Sequence, residues 1–249
     1  MSRAARIAGE LWLSGPGGER AVDRGESEWL PSAARLYLQH AIAPGTPLAS
    51  AVRLRMRGEI KLRRWLPFTA EQVVHRARGF IWHASVRMNG LTIRGFDRLV
   101  DGEGEMRWNL LGLFPVMTAS GPDISRSAAG RFVTESAWLP SILCGEDVSW
   151  TGAGPLRAVA HCKVFGEPVQ LTITLAESGQ ARSLKLARWG NPEGGPFRYA
   201  DFGAVAEEER TFAGFTVPSR IRAGWHFGTE SFEQEGEFFR ATIEEAEYR

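Results

Sequence analysis

Asp97, Glu135 and Arg188 each fall at a position that hydrophobic patterning assigns to the interior. A carboxylate there can serve as a general acid or base once burial raises its pKa, and a guanidinium can hold an anionic group. An interior carboxylate without a partner is costly, so Asp97 and Glu135 each require an arginine, an indole N–H or a backbone donor. Two readings follow. The charges form an ion-pair network tying helix to sheet, or they floor a pocket whose walls include the amphipathic rings of Trp82, Trp138 and Trp225.

Those positions are set by the elements that carry them. In FIWHASVRM-NG-LTIRGFDRLV (Phe80–Val100), Asn89-Gly90 separates two alternating runs and predicts a two-residue hairpin turn, because both residues tolerate positive φ. The register then sets Met88 opposite Leu91, Val86 opposite Ile93, Ala84 opposite Gly95, Trp82 opposite Asp97 and Phe80 opposite Leu99. Asp97 thus lands on the apolar side. GPDISRSAAGRFVTESAWLP (Gly121–Pro140) predicts a helix that starts near Ser125 and stops before Pro140. Its apolar stripe holds Ala128, Ala129, Phe132, Val133 and Leu139, with Glu135 at the edge. In ARSLKLARW, Arg188 shares strand parity with Leu184 and Leu186.

The remaining elements read as follows. AVRLRMRGEIKLRRW (Ala51–Trp65) alternates, which predicts a half-buried strand with Arg53, Arg55 and Arg57 in solvent and Val52, Leu54 and Met56 inside. LPSAARLYLQHAI (Leu30–Ile42) reads as a helix broken by APGTP. FTAEQVVHRARGF (Phe68–Phe80) reads as a short helix, with Thr69 as N-cap, Gln72 completing a capping box and Gly79 as stop. RWNLLGLFPVM reads as one buried strand, and strands resume from Trp150 through LRAVAHCKV, VQLTITL and ARSLKLARW to Phe238–Ile243. The total is about nine to eleven antiparallel strands and three short helices. The expected fold is mainly β with short helices (α+β): a large curved antiparallel sheet or open half-barrel packed against helices. Residues 1–29, with a PGG turn at Pro16–Gly18, read as a loosely attached arm, and residues 30–249 as a single β-rich domain.

Composition narrows the function classes. The chain has 249 residues, 43% of them hydrophobic, with no apolar run that could span a bilayer as a helix, and no signal peptide is read. A net charge of +1 offers no field for a polyanion, so nucleic acid is not an expected partner. Every basic residue other than Lys61, Lys163 and Lys185 is arginine, a uniform bias that argues against selection of a phosphate-binding stripe at β-strand Arg53–Arg57. Cys144 and Cys162 are too few for a disulfide scaffold and fit a reducing compartment, so the expected location is cytoplasmic. The Walker, GxGxxG, HExxH, CxxC and GxSxG patterns are absent, His161 and Cys162 are adjacent and so point to opposite faces, and no cofactor or metal is expected.

Several segments resemble an uncharacterised bacterial family of unknown function. They are WLPFTAEQ (Trp65–Gln72), GFIWHA (Gly79–Ala84), Asp97–Met106 and above all RFVTESAWLPSIL (Arg131–Leu143), with Trp150, Arg188, Pro218 and Trp225. The family patterns are W-x-P-F-x-A-x-Q and R-[YF]-x-x-E-x-x-W-x-P, and the resemblance runs from Leu30 to the C-terminus. It implies a lipoprotein-carrier type of fold and no established activity. The leading expectation is a protein that binds a lipid or other hydrophobic ligand between sheet and helices, with Trp82, Asp97, Glu135, Trp138, Arg188 and Trp225 around it. The alternatives are an enzyme using Asp97 or Glu135 as acid/base with Arg188 holding an anionic substrate, and a protein-interaction module without a ligand. The sequence leaves oligomeric state open.

Overall fold

The computed structural model describes residues 2–14 and 29–249. Among them, thirteen strands form one antiparallel sheet built from two meanders. The first comprises β1 (Ala51–Lys61), β2 (Trp65–His75), β3 (Gly79–Met88), β4 (Leu91–Val100), β5 (Glu103–Leu110) and β6 (Phe114–Ser120). The second comprises β7 (Ser149–Gly152), β8 (Arg157–Val164), β9 (Glu167–Leu175), β10 (Ala181–Gly190), β11 (Arg198–Phe212), β12 (Phe215–Trp225) and β13 (Glu237–Tyr248). The last strand returns to pair with the first, Val52 opposite Tyr248 and Ile60 opposite Phe239, and so joins the two halves. β6 and β7 remain as edges, so the sheet is an open half-barrel.

Strand alternation does what it implies in β1. Val52, Leu54 and Met56 are buried. Arg53, Arg55 and Arg57 project from the other face and meet acids of β13: Glu247 at 3.6 Å, Glu245 at 2.9 Å and Glu244 at 3.3 Å. The β3–β4 hairpin adopts the register that Asn89-Gly90 predicts, from Met88–Leu91 to Phe80–Leu99, with Trp82 opposite Asp97. Asn89 and Gly90 have φ of 52° and 80°.

Helices cover both faces. On the inner face, α2 (Ser32–Ala41) and α3 (Pro122–Thr134) pack into the main core, which runs through Tyr37, Leu54, Phe80, Phe132, Leu171 and Val217. A 3₁₀ turn, Glu135–Ala137, extends α3, and a second, Pro140–Cys144, follows. On the outer face, α1 (Arg3–Leu13) buries Ile7, Ala8 and Leu11 against Val73, Ile81 and Phe96. Burying Ile7 and Leu11 contributes about 1.5–3 kcal/mol each.

Four expectations need correction. The segment Phe68–Phe80 is not a helix: β2 runs to His75, and Phe68, Ala70 and Gln72 alternate inward while Thr69 and Glu71 face out. Hydrogen bonding to β1 and β3 on both sides outweighs a capping-box spacing that any strand can contain by chance. The segment Arg107–Met117 is not one buried strand. It turns at Leu111-Gly112, both at positive φ, and the returning β6 is an edge strand with Phe114, Val116 and Met117 exposed. α3 begins at Pro122 rather than near Ser125, since proline suits the first helical turn. Within residues 1–29, Arg3–Leu13 is a docked helix where a loose arm was expected, and Pro16–Gly18 lies outside the described residues.

Candidate functional site

Between α3 and the inner face lies a cavity of about 310 Å³. The structure places all six residues singled out in the sequence, Trp82, Asp97, Glu135, Trp138, Arg188 and Trp225, on its wall. Apolar side chains from the joined centre of the sheet, Ile60, Ile221, Ala223 and Phe239 among them, supply much of the rest.

Arg131 organises the charged end. It lies one helical turn before Glu135, which sets the two side chains on one face of the helix. Its Nε donates to Glu135 Oε1 at 2.9 Å and its Nη1 to Asp97 Oδ2 at 3.1 Å. The guanidinium lies over Phe80 and Trp82, 4.7 and 5.4 Å from the ring centroids, where a cation meets the negative ring faces. Asp97 sits opposite Trp82, as the hairpin register requires, but the indole that donates to it is Trp108, from Nε1 to Oδ1 at 2.9 Å. Burial raises the Asp97 pKa, against the lowering effects of Arg131, the Trp108 hydrogen bond and Arg188.

Arg188 is held differently. Its Nε donates to the Ser127 carbonyl at 3.0 Å and its Nη2 to Ser127 Oγ at 3.3 Å, while the guanidinium lies over Phe202 at 4.7 Å and Trp225 at 5.2 Å. Two glycines make room for it. A Cβ on Gly130 of α3 would stand 3.1 Å from Arg188 Cγ, and one on Gly190 would stand 2.3 Å from Trp225. Burial pushes the Arg188 pKa down to about 9, with the Arg131 charge adding to the effect and Asp97 and Glu135 opposing it.

Trp138 anchors the far wall, its Nε1 donating to the Pro218 carbonyl at 2.9 Å while Tyr248 donates to its carbonyl at 3.0 Å. Three deeply buried atoms on the wall have no hydrogen-bond partner among the described residues: Gln72 Nε2, Trp82 Nε1 and Glu135 Oε2. Sequence reasoning did not pair Asp97 with Arg131 or Trp108, and it passed over Gln72. Arg131 carried a signal in its four-residue spacing from Glu135. Gln72 stood at the end of the W-x-P-F-x-A-x-Q pattern, but its segment read as a helix and gave it no inward direction.

A model of one family matches residues 28–248. The chain belongs to DUF6920, a family of unknown function. No curated protein matches it. Among solved structures, a LolA superfamily protein from Nitrosomonas europaea is 9% identical, with 88% of this chain and 92% of that one covered and a TM-score of 0.46. A domain from Vibrio parahaemolyticus described as an outer membrane lipoprotein-sorting protein is also 9% identical, with 80% and 86% covered and a TM-score of 0.42. A β-barrel-like DUF1849 protein from Brucella abortus is 7% identical, with 82% and 100% covered and a TM-score of 0.27. None of these three is close enough to assign a residue of the DUF6920 cavity.

Proposed function

We propose that this DUF6920 protein binds a hydrophobic molecule, a lipid or another largely apolar ligand, in the cavity between α3 and the inner face of the sheet. The observation that carries the reading is the cavity itself, about 310 Å³ with aromatic and aliphatic walls and a small polar group at one end. Concave apolar sites with a few convergent polar groups are the usual form of small-molecule sites. Asp97 and Glu135 each have an oxygen bonded to Arg131, an arrangement that favours holding over proton transfer.

The test uses a neutral probe, N-phenyl-1-naphthylamine, whose fluorescence rises in apolar surroundings. The delipidated protein is expected to bind it saturably at one site, and Ala223→Trp, which fills the cavity, to abolish binding while the protein still melts cooperatively. Solvent extracts of the untreated protein, read by mass spectrometry, should contain a co-purifying amphiphile. Absence of saturable probe binding would overturn the reading.

A further inference from the structure

Among the arginines that are largely removed from water, Arg188 stands apart. Arg98 pairs with Glu103 and Glu105, Arg131 with Asp97 and Glu135, and Arg222 with Glu207, Glu233 and Glu237. Arg188 has hydrogen bonds only to Ser127, and no carboxylate of the described residues lies within ion-pair distance. No described residue accepts from its Nη1. A half-buried guanidinium with no carboxylate in contact is costly, and the burial that lowers its pKa outweighs the opposing charges of Asp97 and Glu135.

The fold has nevertheless fitted itself around this side chain. Gly130 occupies the middle of α3, where glycine costs up to about 1 kcal/mol relative to alanine, at the point where the Arg188 stem passes beneath the helix. Gly190 admits the Trp225 ring on which the guanidinium rests. On the same wall, Trp82 Nε1 and Gln72 Nε2 are donors without acceptors, on residues only 2% and 1% exposed. Among the described residues, three donors on this wall therefore lack an acceptor, Arg188 Nη1 with the two buried ones, against one acceptor, Glu135 Oε2, that lacks a donor. Asp97 and Glu135 do not fill the gap, since both turn to Arg131.

We propose that the cavity takes an amphiphile with an anionic oxygen head, a carboxylate or a phosphate, seated on Arg188 with its chain among Ile60, Ile221, Ala223 and Phe239. The head brings lone pairs for the Arg188 Nη1, and charge-assisted bonds to a guanidinium are the stronger kind. Glu135 Oε2 meets a hydroxyl of the head or a water. A cationic head has no free carboxylate pair to meet. The proposal rests on the hydrophobic-ligand reading and narrows it to one class of molecule.

The experiment displaces N-phenyl-1-naphthylamine from the delipidated full chain with dodecanoate, dodecyl phosphate or dodecanol, which share one chain length. The expected result is that an anionic compound displaces the probe at a concentration about tenfold or more below that of dodecanol, a difference of roughly 1.4 kcal/mol. Whichever of carboxylate and phosphate is stronger names the head. In Arg188→Gln that preference should disappear. Arg188→Lys, which keeps the charge without the fork, should retain part of it, and the outer-face control Arg87→Gln should retain all of it. If dodecanol matches both anions in the parent, or the preference survives in Arg188→Gln with cooperative melting intact, the anionic head is wrong although the cavity reading stands. If the probe itself does not bind the parent, the cavity reading falls and this proposal falls with it.

Discussion

Asp97 and Arg131 meet at 3.1 Å across the seam between β4 and α3. The contact joins the first meander to the helix that closes over it, and Glu135 completes it from the same helix at 2.9 Å. One guanidinium thus serves two carboxylates. That sharing balances half of the carboxylate charge that patterning places inside and leaves Arg188 as a cation on the cavity wall with no ion-pair partner among the described residues.

Arg131→Met should therefore be the most damaging single change at the site. It removes the cation and leaves two carboxylates in the interior, so a loss of roughly 3–5 kcal/mol is expected at pH 7. Without Arg131 the Asp97 carboxyl, already raised by burial, loses its largest lowering influence and moves further above its unfolded value. Such groups favour the fold when protonated, so part of the loss should be recovered as pH falls. Urea melts at pH 7 and pH 4.5 measure it, and an equal loss at both values would show that Arg131 acts through packing alone.

Asp97→Asn should be milder. Burial already raises the Asp97 pKa in the folded state, so its ionised form is disfavoured there despite two hydrogen bonds. A raised folded pKa means that stability is highest with the proton on and declines as pH rises from the ordinary carboxylate range through the raised value. Asparagine keeps an oxygen for the Trp108 indole, and Arg131 keeps Glu135. The cost should be below about 2 kcal/mol at pH 7, the range of a single exchanged hydrogen bond, and the decline with pH should flatten. Parallel denaturant titrations of parent and variant at several pH values read both effects.

Much of this was legible where a local rule had no competitor. The β3–β4 register followed from Asn89-Gly90 alone, and with it the placement of Asp97 opposite Trp82. The β1 alternation told which arginines face solvent. Phe68–Phe80 misled because Val73, Val74 and His75 are buried on both sides of the strand, α1 covering the outer face, and a doubly buried strand loses the alternation that marks it. The six cavity residues were recognisable as polar or aromatic groups at interior positions. Their convergence was not, since Asp97, Glu135 and Arg188 come from β4, the end of α3 and β10 of the second meander. Ser127 as the partner of Arg188 and Gly130 as the space for its stem depend on where α3 crosses the sheet, which no periodicity encodes.

His75 should make α1 docking sensitive to pH. It is 5% exposed, its Nε2 donates to the Ser14 carbonyl at 2.9 Å, and its Nδ1 accepts from the Ala77 N–H at 3.2 Å, which fixes the neutral tautomer. Burial lowers its pKa; the charges of Arg78 and Arg76 add to this, whereas the Ser14 bond and Asp101 oppose it. A folded pKa below the unfolded value of about 6.5 means the unfolded chain takes up the proton first, so stability is lost as pH falls below that value. Amide exchange in Arg3–Leu13 should accelerate between pH 7.5 and pH 5 beyond the intrinsic pH effect, and His75→Gln should remove that acceleration. Equal protection of α1 at both values in the parent would exclude the clamp.

The outer arginines of β1 should not make this a nucleic-acid-binding protein. Arg53, Arg55 and Arg57 each face an acid of β13, Glu247, Glu245 and Glu244, so the stripe that looks basic in sequence is close to neutral in the sheet. Phosphate contacts that release counterions need cations without nearby acid, and here each carries its own. The parent should show no tight duplex binding at 150 mM salt. Replacing Glu244, Glu245 and Glu247 together by glutamine should uncover the arginines and produce weak binding that falls steeply with added salt. Because exposed ion pairs contribute at most about 1 kcal/mol each, the triple variant should stay folded. Duplex titrations of both proteins at 50 and 150 mM salt, read by fluorescence anisotropy, decide the point: tight salt-sensitive binding by the parent would mean that β13 does not neutralise the stripe.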